Sequence, residues 1–172
     1  MLSLGLMDPI VVTAQKQHYG SLHAALDTVA REKRFLAATE APPFDRSVSF
    51  YRELAEHGMA HYVALVGERV VGWVDVARTF GQTRAHMGLL GVGLIKEARH
   101  QGLGKRLLEA AIAHSWKQGL SRIELTVRAD NLNAIRLYER RGFEHEGVMR
   151  RGCCVDGHFF DMHFMALLRD DT

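Results

Sequence analysis

Residues Gly91 to Gly104 read GVGLIKEARHQGLG: an apolar stretch broken by glycines, a basic turn, then Gly102-Leu103-Gly104 at the head of a helical pattern. Glycines at a strand-to-helix turn let backbone N–H groups approach an anion closely, and the first helical turn adds positive partial charge. Arg99, Lys105 and Arg106 put whole charges around the same turn. The segment reads as a phosphate-binding device, with a plain strand-to-helix turn as the competing reading. Two familiar phosphate patterns do not fit. A dinucleotide fingerprint lacks its third glycine, because Leu107 stands there, and a P-loop fails because Arg106 follows Gly104-Lys105 and Arg99 replaces the first glycine.

Working outward, HYVALVG (61–67) and VVGWVDVAR (70–78) flank Gly67-Glu68 and predict a hairpin. AHMGLLGVGLI (85–95) adds a third sheet segment, in which Gly88, Gly91 and Gly93 imply a bulge or a close backbone approach. Downstream, Leu107, Leu108, Ala111, Ile112 and Trp116 mark the inner stripe of a helix. RIELTV (122–127) predicts a strand, and Asn133 to Arg141 a short helix ended by Gly142. GVMRRGCCV and HFFDMHFMALL flank Asp156-Gly157, a type I′ hairpin signal. Upstream, IVVTA (10–14) predicts a first strand, and Leu22, Ala25, Leu26 and Val29 a helix within 17–31. Pro42-Pro43 forbids its continuation, and Val48, Tyr51, Leu54 and Ala55 stripe a second helix over 45–57. This order predicts a mixed α/β (α+β) domain over residues 1–172, its central sheet mostly antiparallel and flanked by helices.

Composition narrows the function classes. The 172 residues carry Lys+Arg 22 against Asp+Glu 20, a net charge of +2, too balanced for a nucleic-acid partner met through a broad basic face. The clustered basic residues suit a small anionic ligand instead. No stretch approaches the ~20 apolar residues of a membrane span, so no membrane partner is expected. The N-terminus lacks the pattern of an export signal. Adjacent Cys153 and Cys154 cannot bridge conventionally to each other and suggest a reducing compartment, hence a cytoplasmic protein. No metal site is expected: His57 and His61 are four apart but lack the HExxH glutamate.

ADNLNAIRLYERRGF (129–143) supplies the second motif. Asn131 and Tyr138 are seven residues apart, and seven steps of ~100° return to within ~20° of the same helix face. An N-cap for Asn131 and a packing role for Tyr138 compete with a joint functional reading. Taken in order, the two motifs resemble the GNAT family of N-acetyltransferases. Its pyrophosphate pattern stands here as Arg99-His100-Gln101-Gly102-Leu103-Gly104, and its downstream pattern as Asn131, Ala134, Leu137, Tyr138, Gly142 and Phe143. The match runs from about residue 60 to the end, and the 124–131 run and terminal hairpin look like bacterial enzymes that acetylate amino acids or ribosomal-protein termini.

The resemblance implies acetyl-CoA as donor, no metal, and direct transfer to a primary amine of a small molecule. Val92, Gly93 and Leu94 would face the pantetheine arm across a splay between their strand and RIELTV, and residues Arg99 to Lys105 would wrap the pyrophosphate. Tyr138 would protonate the leaving thiolate, and Asn131 would hold the CoA arm or a bridging water. Glu124 is the first candidate to relay the amine's proton and His86 the second, against an arginine pair for Glu124 and a structural role for His86. Two other readings stay open: a protein N-terminus as acceptor, and a non-catalytic acyl-CoA-binding module. The terminal hairpin, with Phe160, Met162 and Phe164 on one face, offers a surface for a homodimer.

Overall fold

Alternating apolar residues with well-placed turns build one seven-stranded sheet in the order β1-β2-β3-β4-β5-β7-β6. Its strands are β1 (Ile10–Thr13), β2 (His61–Val66), β3 (Arg69–Arg78), β4 (Met87–Leu94), β5 (Arg122–Arg128), β6 (Glu144–Val155) and β7 (His158–Leu168). The structure, a computed structural model, describes residues 8–170, so the start of the segment read as lacking an export signal lies outside the described residues. Every neighbouring pair is antiparallel except β4 with β5. Asp156 at φ 48 and Gly157 at φ 82 close the β6–β7 hairpin with the two positive φ values that a type I′ turn demands. The sheet expectation holds throughout.

The helices are α1 (Tyr19–Ala30), α2 (Phe44–Glu56), α3 (Leu103–Lys117) and α4 (Leu132–Glu139). Alternation along β2 shows which face each covers. His61 packs its ring against Tyr51 of α2 at 5.2 Å, whereas the next residue, Tyr62, meets His114 of α3 through a 2.9 Å hydrogen bond. Thus α1 and α2 lie on one face and α3 on the other, with fully buried Leu22, Leu54, Leu107, Leu108 and Ile123 in the two cores. Two stripes differ from expectation: Ala55 is exposed and Trp116 only half-buried, while Ser47 and Ser115 take buried positions. Each serine places little volume where a helix runs close to its neighbours. Among the described residues, no helix is long and apolar enough to cross a membrane.

The glycines of β4 produce close approach and no bulge. The β3–β4 register is unbroken from Gly72↔Leu94 to Arg78↔Gly88. A Cβ on Gly93 would stand 2.3 Å from the Trp73 ring, one on Gly91 3.2 Å from the Asp75 carboxylate, and one on Gly88 2.4 Å from Val76. Side chains of β3 therefore lie over bare backbone of β4. Gly88→Ala should cost about 1–3 kcal/mol by overpacking against Val76 and Leu120. Urea unfolding should show a lower midpoint at unchanged slope; an unchanged midpoint would mean the core relaxes freely there.

Candidate active site

β4 and β5 begin side by side and then part. They pair over only three positions, from Met87↔Arg122 to Leu89↔Glu124, while β4 stays paired with β3 over seven. Beyond Leu89 the outer edge of β4 is free of a strand partner. Ile95 donates its N–H to Val71 O on the β3 side, so alternation turns the backbone groups of Val92 and Leu94 toward the open fork. Arg99 Nε claims the Leu94 carbonyl at 3.0 Å, which leaves the Val92 groups and the Leu94 N–H facing the gap.

The fork opens into a cleft of about 1060 Å³ that reaches the turn before α3 and the inner face of α4. Gly102 takes a left-handed φ of 76 and no side chain caps α3, so the first N–H groups of that helix are free to meet an anion. His100, Gly102, Gly104 and Lys105 line the cleft, as the pyrophosphate reading requires. Other parts of that motif serve structure. The Arg99 guanidinium, although at the cleft, is held by Glu32 at 2.5 and 2.9 Å and stacks on Phe35 at 4.4 Å. Arg106 donates to the Pro9 carbonyl, Gln101 donates to the Glu97 carbonyl, and the Leu103 side chain is buried in the core. Gly104 is needed for packing too, since a Cβ there would stand 3.0 Å from Leu137.

Asn131 caps α4, its side chain accepting from the Ala134 N–H at 3.4 Å, and still lines the cleft beside Tyr138. Tyr138 is buried and packs against Phe143, with ring centroids 5.8 Å apart. Among the described residues its hydroxyl has no hydrogen-bond partner. Burial pushes its pKa up and keeps the phenol protonated. Sequence reasoning missed Arg136 of α4 and Arg140 just past its end, both lining the same cleft with no ion-pair partner among the described residues.

Comparison with known proteins agrees with this geometry. Residues 22–143 match the acetyltransferase (GNAT) family. The chain belongs to it. It is thus a GNAT N-acetyltransferase, as the two motifs implied. It is 29% identical over 114 residues to the L-amino acid N-acetyltransferase AaaT of Escherichia coli, covering 65% of this chain and 70% of that one. It is 31% identical over 127 residues to an N-alpha-acetyltransferase of Saccharolobus solfataricus, covering 68% and 74%. The Salmonella typhimurium protein yncA, solved with its cofactor acetyl-CoA, shares the fold at a TM-score of 0.89 and 18% identity, covering 95% of each chain.

Neither sequence candidate for the base of this GNAT enzyme lines the cleft. Glu124 sits where β4 and β5 are still paired, its carboxylate taken by Arg84 at 3.3 Å and Arg122 at 3.1 Å. His86 is exposed ahead of β4 and contributes its carbonyl to the N–H groups of Ser121 and Arg122. Glu124 thus makes the arginine pairs that its sequence position allowed, and the His86 ring makes no side-chain hydrogen bond among the described residues. Sequence reasoning passed over Asp75, a partly buried carboxylate of β3 lying over Gly91. Its signal was one acid in an otherwise apolar run, VVGWVDVA.

Burial pushes the Asp75 pKa up from 3.8 to about 7. Between those values the folded chain holds a proton that the unfolded chain releases. That contribution to stability is full below the unfolded pKa and is lost as pH rises through the folded one. Asp75→Asn removes this dependence, so its Tm relative to the unsubstituted protein should rise between about pH 5 and pH 8. A constant difference across that range would show that Asp75 titrates alike in both states.

Proposed function

We propose that this acetyltransferase moves the acetyl group of acetyl-CoA directly to the primary amine of an amino-acid-like small molecule. The observation that carries the reading is the single cleft joining the free edge of β4, the uncapped start of α3 and the Tyr138 hydroxyl. The donor set fits acetyl-CoA. Val92 and Leu94 present strand-edge groups to an amide-bearing arm. The α3 N-terminus, Lys105, Arg136 and Arg140 present N–H groups and cations to phosphates. Acetyl-CoA supplies an activated acetyl group as its thioester.

The residues divide the work. Remote contacts at the turn hold the donor in register, converting binding energy into orientation at the reacting carbon. The Val92 N–H is placed to meet the negative charge that develops on the carbonyl oxygen. Tyr138, kept neutral by burial, gives a proton to the departing sulfur. A protein that only binds acyl-CoA has no use for such a donor. The similarity to AaaT supports an amino-acid acceptor, and that to the N-alpha-acetyltransferase supports a protein terminus. One feature favours the small acceptor. The segment after α1 is pinned over the cleft by Arg99–Glu32, by Lys33–Asp156 at 2.9 Å, and by Arg128 donating to the Lys33 carbonyl.

Thiol release from acetyl-CoA should be measured across a panel of L-amino acids and a peptide with a free N-terminus. Turnover with amino acids and not with the peptide is expected; the reverse would assign the protein-terminus activity. Tyr138→Phe should lower kcat by about 10²-fold or more with acetyl-CoA affinity unchanged. Arg136→Ala should instead weaken acetyl-CoA binding in calorimetry with kcat preserved. Equal affinity in Arg136→Ala would remove α4 from the phosphate site.

A further inference from the structure

Asp75 stands on β3, one strand away from the fork and behind the residues that line the cleft. Its Cα partner is Gly91, two residues past the last β4–β5 pair, and its carboxylate oxygens lie 3.2 and 3.3 Å from where a Gly91 Cβ would be. The strip of β4 between Asp75 and the open slot is therefore bare backbone. On the same face β4 offers Met87, Leu89, Gly91 and Gly93. Among the described residues no arginine, lysine or hydrogen-bond donor reaches Asp75. An unpaired carboxylate in the body of a sheet is costly to keep for structure alone.

Unsatisfied polar atoms lie on the neighbouring β2 and α2. The Tyr51 hydroxyl, the His61 Nε2 and the Ser47 Oγ are all buried without a hydrogen-bond partner, in residues only 4%, 5% and 5% exposed. His61 is the Cα partner of Asp75 on β2, and Tyr51 packs on the His61 ring. The Tyr51 pKa, pushed up to about 12 mainly by burial, also feels the Asp75 charge. The Ser47 hydroxyl is near enough to the Tyr51 hydroxyl to offset part of its burial, but the His61 Nε2 has no such neighbour, and a polar ligand or ordered water is the usual partner of a buried group of this kind.

We propose that Asp75 receives the acceptor's amino group at the β4–β5 fork and removes the proton that makes it nucleophilic, with Tyr51, His61 and Ser47 lining the polar space behind it. This deepens the N-acetyltransferase reading and rests on it. The acceptor arrives as an ammonium ion and gives one proton to the Asp75 carboxylate. The freed lone pair forms the C–N bond to the acetyl carbon while the C–S bond breaks. The sulfur takes the Tyr138 proton, and the second nitrogen proton replaces it on Tyr138. Asp75 returns its proton to solvent, so one amide, one thiol and one released proton balance the reaction.

The groups facing Asp75 leave its titration its own. They are His61 from β2, whose pKa burial lowers to about 4, and Tyr51 from α2 with Tyr19 of α1 against it. His61 and Tyr51 are uncharged near neutrality. Glu124, on the same face of β5, is tied to Arg84 and Arg122. Proton acceptance should therefore set in as pH rises through about 7.

The test is the pH dependence of kcat/KM, using the best amino-acid acceptor of the panel. Asp75→Asn should lose about 10²-fold or more at neutral pH and recover much of it at alkaline pH, where the acceptor is already neutral. Acetyl-CoA affinity should not change. Tyr138→Phe should keep the unsubstituted profile's shape at a lower level. An Asp75→Asn profile that runs parallel to the unsubstituted one overturns the proposal. A second measurement needs neither variant nor turnover: carboxyl carbon NMR of aspartate-labelled protein should show one aspartate titrating near 7. Titration of every aspartate near 3.8 overturns it as well. Failure of the unsubstituted enzyme to acetylate anything in the panel would instead overturn the amine-acceptor reading, leaving the NMR result to decide Asp75.

Discussion

One strand with two unequal edges governs the molecule. β4 is bound to β3 along its whole length but to β5 for three positions only. β5 is committed elsewhere, paired with β7 over all seven of its residues. The parting of β4 and β5 leaves backbone groups in the middle of a sheet without strand partners. Such groups demand hydrogen bonds, and a ligand that runs alongside as a further strand can supply them. The cleft is thus a consequence of sheet register before any side chain is considered.

What surrounds the fork is sorted by charge. Several arginines are spent on carboxylates: Arg99 on Glu32, Arg122 on Glu124 and Glu146, Arg128 on Asp130. These pairs fasten loops and strand ends around the opening, and being partly exposed they contribute little stability each. The cations that face the cleft include Arg34, Lys105, Arg136 and Arg140, together with the unpaired N–H groups at the start of α3. On the β3 side of β4 lies a carboxylate with no cation to neutralise it among the described residues. Basic character gathers at one end of the cleft, and an acid stands one strand behind its β4 edge.

The motif around residues 99–104 shows how one short sequence serves two ends. Arg99 anchors the turn to the end of α1 and to the Leu94 carbonyl, and Leu103 plugs the core. Gly104 lets α3 pass under Leu137 of α4. Gly102, with its left-handed backbone and open surroundings, is free of such packing duties, as is exposed His100. A tight turn that must present N–H groups to a ligand has to be held rigidly from behind, and most residues of the motif do the holding.

Local patterning was enough to read the strands, the four helices, the type I′ turn at Asp156-Gly157 and the glycine turn ahead of α3. These depend on periodicity, on backbone dihedral preference and on the first turn of a helix, all of which act over a few residues. Asn131 and Tyr138 shared a face for the same reason. Which polar groups meet a ligand was decided by contacts across the sheet. Glu124 meets Arg122 of its own strand and also Arg84 from far upstream, and His86 ends on the surface. Asp75 became visible only when β4 laid a glycine beneath it and β5 turned away. Charge pairing and strand separation are properties of residues distant in sequence, and only the packed structure brings those residues together.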